Sequence, residues 1–308
     1  MTSWQSKVAK MSFRWQRFRG QGKIGVDIDA ERERFGRQLA RLKPPEEVVI
    51  SETDAGGRPA LWVVPPAIRR EGVVLFLHGG VYLIGSIQGY RAFAAAIAMS
   101  TGMRALILDY RLAPEHPFPA AVEDAQAAYQ WLLEEGHKPQ QIVVAGDSAG
   151  GGLALALLLA LRDEGQLLPA AAVCLSPWTD LMAGGGSRID KAEVDYVLTV
   201  ADLQRAGALY LNGVDPQTPL ASPLYGDLTG LPPLLIHVGA DEILLDDATE
   251  LAQKAEAAGV EVNLEIWEEM FHVWQALASF VPEGRQAIEG IGRFIDAVYA
   301  SYGSPSKA

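Results

Sequence analysis

Short apolar runs without polar alternation recur along the chain and predict the strands of a buried sheet. Five such runs occur, at residues 73–77, 105–108, 142–145, 171–175 and 234–238. Strands that are covered on both faces have this pattern, because neither face meets water. Two β-rich stretches, 47–53 and 60–64, are separated by a short polar segment with two glycines and predict a hairpin. We expect a last strand at residues 260–267.

Helical stretches alternate with these strands. They lie at residues 90–100, 120–135, 149–163, 246–258 and 282–299. Strands that alternate with helices at this spacing predict a mostly parallel sheet with helices on both faces. We therefore expect an α/β fold with a central sheet of about eight strands.

The alternation is interrupted once, over residues 181–230. This stretch has a helical pattern near 201–211 but no strand pattern, and insertions of this length are usually functional. Residues 1–45 also precede the first strand. We expect these two segments to form a separate helical layer over an α/β domain made of residues 46–180 and 231–308.

The first twenty residues predict an amphipathic helix. They contain five basic residues and no acidic one. Large apolar side chains recur in this segment at helical spacing, and they are Trp4, Val8, Met11, Trp15 and Phe18. We expect the helix to lay this aromatic stripe over the rest of the protein. A role at a membrane surface is the alternative.

The composition removes several classes of function. Acidic residues number 38 and basic residues 26, so the formal net charge is −12 and the overall field repels nucleic acid and anionic lipid. No run approaches the roughly 18 apolar residues of a membrane span. The first residues also lack the apolar segment of a signal peptide. We therefore expect a cytoplasmic protein with no nucleic-acid partner and no membrane span.

No cofactor is expected. Gly20, Gly22 and Gly25 form a G-x-G-x-x-G pattern, but a basic helix precedes it where a dinucleotide site needs a buried strand. The histidines include no pair at the i, i+4 spacing of a zinc-binding helix. The single cysteine, Cys174, lies in an apolar run and cannot form an intrachain disulfide.

The most informative motif is GDSAG at residues 146–150, a G-x-S-x-G pattern. It follows the apolar run at 142–145 and opens a helical stretch, which is the strand, turn and helix setting of a nucleophile elbow. Glycines on both sides let the chain cross itself closely at such a turn. We expect Ser148 to be a nucleophile, and an ordinary structural turn is the alternative.

A serine hydroxyl needs a base that accepts its proton. In enzymes with a nucleophile elbow, the acid and the base follow the serine along the chain. Only His237 and His272 lie after Ser148. His237 falls within an apolar run, where a buried core histidine is the simpler interpretation, whereas His272 follows the last expected strand. We therefore expect His272 to be the base.

The base needs an acid that orients it. We expect this acid just after the run at 234–238, and Asp241 is the favoured residue. Glu242, Asp246 and Asp247 are alternatives. The last two fall where a helix begins, so they also fit a role as N-terminal charges or caps.

The segment His78-Gly79-Gly80 follows the run at 73–77 and offers backbone donors. Glycine carries no side chain, so its N–H group can come close to a substrate carbonyl. We expect Gly79 and Gly80 to donate to the oxyanion together with Ala149, the residue after the nucleophile. A plain turn at a strand end is the alternative.

These residues and their surroundings resemble the hormone-sensitive lipase-like α/β-hydrolases, known in bacteria as family IV esterases. The similar blocks, in family order, are LFLHGGVYLIGS, DYRLAPEHPFPAAVEDA, GDSAGGGLA, SPWTDL, DEILLDD and MFHVW. The resemblance implies an α/β-hydrolase fold with a helical cap built from the N-terminal residues and the insertion. It also supports Ser148, Asp241 and His272 as the triad and the three oxyanion donors.

One position departs from the family pattern, because Val81 stands where the family usually has a third glycine. A β-branched residue resists positive φ, so we expect a negative φ at Val81. We assign Val81 and Tyr82 to the substrate pocket, where the Val81 methyl groups would restrict bulky esters.

The sequence thus predicts a carboxylesterase that hydrolyses short- to medium-chain acyl esters through a Ser-His-Asp triad and an acyl-enzyme. An amidase or acyl-peptide hydrolase with the same residues is an alternative, as is a ligand-binding receptor with an inactive triad. The expected partner is a small-molecule ester, and the reaction requires no cofactor. The sequence leaves a homodimer open.

Overall fold

The computed structural model describes residues 2–18, 26–182 and 184–303. These residues form one eight-stranded sheet with α-helices on both faces. The α/β fold predicted from the alternation of apolar runs and helical stretches is therefore confirmed. The glycines of the G-x-G-x-x-G pattern, Gly20, Gly22 and Gly25, lie outside the described residues.

The sheet is mostly parallel. Its strands are β1 (Val49–Asp54), β2 (Pro59–Val64), β3 (Val73–Leu77), β4 (Arg104–Leu108), β5 (Ile142–Asp147), β6 (Ala171–Leu175), β7 (Leu234–Gly239) and β8 (Val262–Trp267). Their order in the sheet is β1-β2-β4-β3-β5-β6-β7-β8. β2 pairs antiparallel with β1 and β4, and every other neighbouring pair is parallel. The carboxyl ends of β3 to β8 therefore meet at one edge, where α/β proteins place their sites.

Helices cover both faces of the sheet. In the described residues they are α1 (Trp4–Phe18), α2 (Ile28–Leu39), α3 (Arg91–Thr101), α4 (Ala120–Glu134), α5 (Ala149–Asp163), α6 (Ser187–Asp190), α7 (Val200–Leu211), α8 (Leu245–Ala257) and α9 (Pro282–Gly303). α3 and α9 pack together on one face, and α4, α5 and α8 lie on the other. None of these helices, over the residues described, is long and apolar enough to cross a membrane.

Alternate side chains of β3 point to the two helical layers. Leu75 and Leu77 pack with residues of α4 and α5, whereas Val74 and Phe76 pack with residues of α3 and α9. Every residue of β3 is buried. A strand in this position has no face for polar side chains, which explains the continuous apolar runs in the sequence.

The insertion between β6 and β7 contains α6 and α7 and, in the described residues, no strand. A buried ion pair fixes it to α8, since Arg188 Nη2 lies 2.7 Å from Asp247 Oδ2. Asp246 Oδ2 accepts a hydrogen bond from Ser187 N–H at 2.8 Å. Asp246 and Asp247, two of the alternatives for the acid, thus anchor the insertion.

α1 contacts the rest of the chain through small and polar residues and through Phe13, whose ring packs against Phe271 with ring centroids 5.3 Å apart. Its buried residues are Ser6 and Ala9. Ser3 Oγ and Ser6 Oγ each donate to Glu283 Oε2 at 2.8 Å, and Glu283 lies in the first turn of α9. These contacts, with the packing of Phe13, fix the rotation of the helix with its other large apolar side chains exposed. The prediction that the stripe covers the rest of the protein is therefore wrong for Trp4, Val8, Met11, Trp15 and Phe18.

Candidate active site

Ser148 occupies a sharp turn between β5 and α5. Its backbone has φ 54° and ψ −121°, a conformation that costs a non-glycine residue roughly 1–3 kcal/mol. A Cβ on Gly146 would lie 2.2 Å from the Gly150 carbonyl oxygen, and a Cβ on Gly150 would lie 2.0 Å from the Leu77 oxygen. Only glycine fits at either position. The turn therefore has the geometry of a nucleophile elbow.

His272 lies in the loop after β8 and reaches the serine. Its Nε2 is 2.9 Å from Ser148 Oγ, and both side chains are buried. His237 instead lies within β7 and stacks beside Trp274, with ring centroids 6.3 Å apart. Burial lowers the pKa of His237 to about 3. The structure thus puts His272 at the elbow and His237 in the core.

The carboxylate that meets His272 belongs to Glu242 and not to Asp241. Glu242 Oε2 is 2.7 Å from His272 Nδ1, and the Glu242 side chain is fully buried. Asp241 is partly exposed and pairs with Lys10 Nζ of α1. The prediction that Asp241 contacts His272 is therefore wrong, because these neighbouring carboxylates have different partners and only Glu242 reaches the imidazole.

Two further donors hold the Glu242 carboxylate. Its Oε1 accepts hydrogen bonds from Ser176 Oγ at 2.8 Å and from Gly239 N–H at 2.5 Å. Oε2 is then directed at His272. A carboxylate fixed at both oxygens orients the imidazole, so that Nδ1 faces the acid and Nε2 faces Ser148.

The charges around His272 raise its pKa above the usual 6.5. Burial is the largest single influence and lowers this pKa, because it disfavours the charged imidazolium. Three carboxylates raise the pKa and together outweigh burial. The adjacent Glu242 contributes most, through its charge and its hydrogen bond, and the charges of Asp195 and Asp147 add to it. The site therefore stabilises the imidazolium that forms when His272 accepts a proton.

The N–H group of Gly79 is already used within the protein. It donates to Asp147 Oδ1 at 2.9 Å, so the prediction that Gly79 binds the oxyanion is wrong. Tyr90 Oη donates to the other oxygen of the same carboxylate at 3.1 Å. Burial raises the pKa of Asp147 to about 7, although these two hydrogen bonds act in the opposite direction. Gly79 instead ties the loop after β3 to the elbow.

Other backbone donors border the elbow. Within the described part of the chain, the N–H groups of Gly80, Val81 and Ala149 donate no hydrogen bond. Ala149 is the first residue of α5, where backbone N–H groups have no partner within the helix and the helix dipole is positive. Gly80 has φ 118°, and a Cβ there would lie 2.1 Å from the Ile84 oxygen. This loop therefore requires glycine at position 80.

Val81 and Tyr82 form the centre of a tight turn, which Leu83 N–H closes by donating to the Gly80 oxygen at 3.0 Å. Both central residues have positive φ, 50° and 62°, as a turn of this hand requires. The prediction of a negative φ at Val81 is therefore wrong, since the turn overrides the local preference of a β-branched residue. Tyr82 stacks on Tyr210 of α7 with ring centroids 3.8 Å apart, which fixes the turn from the insertion side.

The side chains at the elbow suit nucleophilic catalysis, with a serine, an imidazole and a carboxylate in series. The part of the chain that the structure describes contains no group of three or more His, Cys, Asp or Glu side chains that could hold a metal ion.

The chain is similar to known α/β hydrolases. The sequence pattern of the α/β hydrolase fold matches residues 74–276. An acetyl-hydrolase from Streptomyces hygroscopicus is 51% identical over 271 residues, which are 88% of each chain. An esterase from Acinetobacter venetianus is 39% identical, and the match covers 72% of this chain and 74% of that one.

A similar solved structure is that of an esterase from the bacterial hormone-sensitive lipase family. It superimposes with a TM-score of 0.91 at 46% sequence identity, and the match covers 96% of this chain and 98% of that one. The family resemblance of the sequence motifs is confirmed. The chain belongs to the bacterial hormone-sensitive lipase family of α/β hydrolases.

Proposed function

We propose that this protein is a carboxylesterase that hydrolyses short- to medium-chain acyl esters, with Ser148 as nucleophile, His272 as base and Glu242 as acid. The observation that carries the proposal is the unbroken hydrogen-bonded series from Ser148 Oγ through both His272 nitrogens to Glu242 Oε2. The relatives named acetyl-hydrolase and esterase support an ester substrate.

In the acylation step, His272 Nε2 takes the hydroxyl proton while Ser148 Oγ bonds to the ester carbonyl carbon. When the tetrahedral intermediate collapses, the bond to the alcohol oxygen breaks and His272 returns the proton to that oxygen. Water then adds to the acyl-serine carbonyl carbon while His272 takes its proton. When this second tetrahedral intermediate collapses, the bond to Ser148 Oγ breaks and His272 returns the proton to Oγ, which releases the carboxylic acid. Glu242 keeps the proton on Nδ1 and stabilises the imidazolium.

The tetrahedral oxyanion would be bound by the free N–H groups of Gly80, Val81 and Ala149. Substituting valine for the usual third glycine keeps the backbone donor at position 81. Asp147 supports this loop indirectly, because it accepts the Gly79 N–H bond and so links the loop to the elbow. Donors held in this way need no reorganisation when the negative charge develops.

We assign residues 1–45 and 181–230 to a cap over a catalytic domain formed by 46–180 and 231–308. Both cap segments contact the site in ways that support the assignment, since Lys10 pairs with Asp241 and Tyr210 stacks on Tyr82. Val81 and Tyr82 would then line the substrate pocket beneath the cap.

Labelling tests the nucleophile. A fluorophosphonate is expected to add once to the wild-type protein and not to Ser148→Ala, which should lose about 10⁴- to 10⁶-fold in kcat. Ser12→Ala, which changes an exposed serine of α1, is the matched control and should label normally. Intact-mass labelling that survives Ser148→Ala contradicts the proposal. Turnover of an anilide faster than that of the ester with the same acyl group would favour the amidase.

Substitution of the two neighbouring carboxylates tests the acid. Glu242→Gln should lower kcat by about 10⁴-fold, because the amide no longer stabilises the imidazolium or holds the productive tautomer. Asp241→Asn loses only a partly exposed ion pair with Lys10 and should keep kcat within about threefold. Steady-state kinetics, with circular dichroism to verify folding, distinguish them. A large loss in Asp241→Asn alone would reassign the acid.

The pH dependence tests the state of His272. Because Glu242 raises the pKa of His272, kcat/KM should rise with pH through an apparent pKa above 6.5 and then level off. Glu242→Gln should move this rise to lower pH, since a neutral partner no longer favours the imidazolium. Asp147 titrates in the same range but is unchanged in that variant. A rise that does not move in Glu242→Gln argues against the assignment.

Acyl-length profiles test Val81 as a pocket residue. Val81→Gly should improve kcat/KM for longer or branched acyl esters by an amount worth about 1–3 kcal/mol per methylene-sized change. Val81→Ala separates the effect of pocket bulk from the effect of backbone freedom, since it removes both methyl groups but keeps a Cβ at φ 50°. If pocket bulk matters, both variants shift the profile from acetyl to decanoyl esters. An unchanged profile in both would exclude a pocket role.

A further inference from the structure

The exposed apolar stripe of α1 is an unusual surface for a globular protein. Its five side chains are between 46% and 90% exposed. At 100° per residue they fall within about 80° of the helix circumference, so they form one continuous band. Phe280, also exposed, extends the band by packing edge-on against Trp4 with ring centroids 5.9 Å apart.

The helix is fixed in the orientation that exposes this band. Its opposite side is held by Glu283, which accepts from Ser3 and Ser6, and by the pairing of Lys10 with Asp241. Arg17 Nη2 donates to the Ala192 oxygen of the insertion at 3.3 Å. Rotation that buried the band would break all of these contacts. The exposure is therefore a property of the docked helix.

Positive charge borders the band. α1 contains no acidic residue, in a chain whose formal net charge is −12. Lys10 and Arg17 are used for docking, whereas Lys7 and Arg14 are exposed along one edge of the band. Arg14 also lies over the Tyr196 ring, 5.8 Å from its centroid. Lys7 and Arg14 thus lie beside the exposed aromatic side chains of the helix.

We infer that this face of α1 docks the protein on an anionic phospholipid surface. A helix with tryptophan, phenylalanine and methionine on one side and flanking lysine and arginine is suited to lie in the headgroup region of a bilayer. The carboxylates of Asp241 and Glu283 both hold the side opposite the band. Asp241 is paired with Lys10, and Glu283 accepts from Ser3 and Ser6. Charges more than about 8–10 Å from the band are screened at physiological salt. A second copy fits the face less well, since a symmetric contact there would bring like charges from the two helices together.

Docking in this way would bring the candidate active site close to the lipid. Lys10, on the same helix, pairs with Asp241, which directly precedes the Glu242 that contacts His272. The docking itself does not depend on the proposed hydrolysis.

Vesicle sedimentation of the full chain tests the inference. We expect binding to phosphatidylcholine vesicles that contain about one-third phosphatidylglycerol, and weaker binding to phosphatidylcholine alone. The double variant Met11→Ser and Phe18→Ser, which changes side chains 70% and 90% exposed, should bind at least about tenfold more weakly. Lys7→Gln and Arg14→Gln should each weaken binding about fivefold.

The matched control is Ile68→Ser with Leu167→Ser, which changes side chains 49% and 68% exposed outside α1 and should bind as the wild type does. Ser148→Ala should also bind normally, so a failure of the proposed function leaves this test intact. Binding that is absent, or equal in the α1 double variant, overturns the inference. A double variant that changes only the molecular mass in solution assigns the face to a second copy and also overturns it.

Discussion

The close crossing of β3, β5 and α5 at two glycines is the contact on which the rest of the site depends. Gly150 meets the Leu77 oxygen and Gly146 meets the Gly150 oxygen at distances that exclude any Cβ. The crossing forces Ser148 into its positive φ. The structure offsets this strain locally, since Ser148 N–H donates to the Leu175 oxygen at 2.8 Å and Trp178 N–H donates to the Ser148 oxygen at 3.0 Å. The contacts that hold the sheet and the helix together thus also direct the serine toward its base.

A second contact between loops aligns the base and its acid. A Cβ on Gly239 would lie 2.4 Å from the Met270 oxygen, so the last residue of β7 and the segment before His272 touch directly. The insertion adds to this alignment, because the buried carboxylate of Asp195 accepts the Ile243 N–H bond at 2.9 Å, one residue beyond Glu242. The acid loop is therefore held from the sheet side and from the insertion side.

Features set by local pattern were predictable from the sequence, and features set by side-chain direction were not. The apolar runs predict the strands because a strand that is buried on both faces is made of apolar residues throughout. The glycines near Ser148 predict the elbow because no larger residue fits at those positions. Position after a strand cannot distinguish Asp241 from Glu242, since adjacent residues point different ways and the choice depends on Lys10, far away in the chain. The use of the Gly79 N–H by Asp147 and the positive φ of Val81 are likewise tertiary effects.

For α1 too, the sequence pattern predicts the helix, but tertiary contacts decide its orientation. Helical spacing shows that the large apolar residues share one side, but it does not say whether that side faces the protein. Here the protein surface offers Glu283 and Asp241, which bind hydroxyl and ammonium groups, and the small residues Ser6 and Ala9 allow the helix to approach closely. The polar contacts are specific in direction and distance, whereas apolar burial is not. The directional contacts, together with the packing of Phe13 on Phe271, therefore set the rotation of the helix and leave its other large apolar side chains exposed.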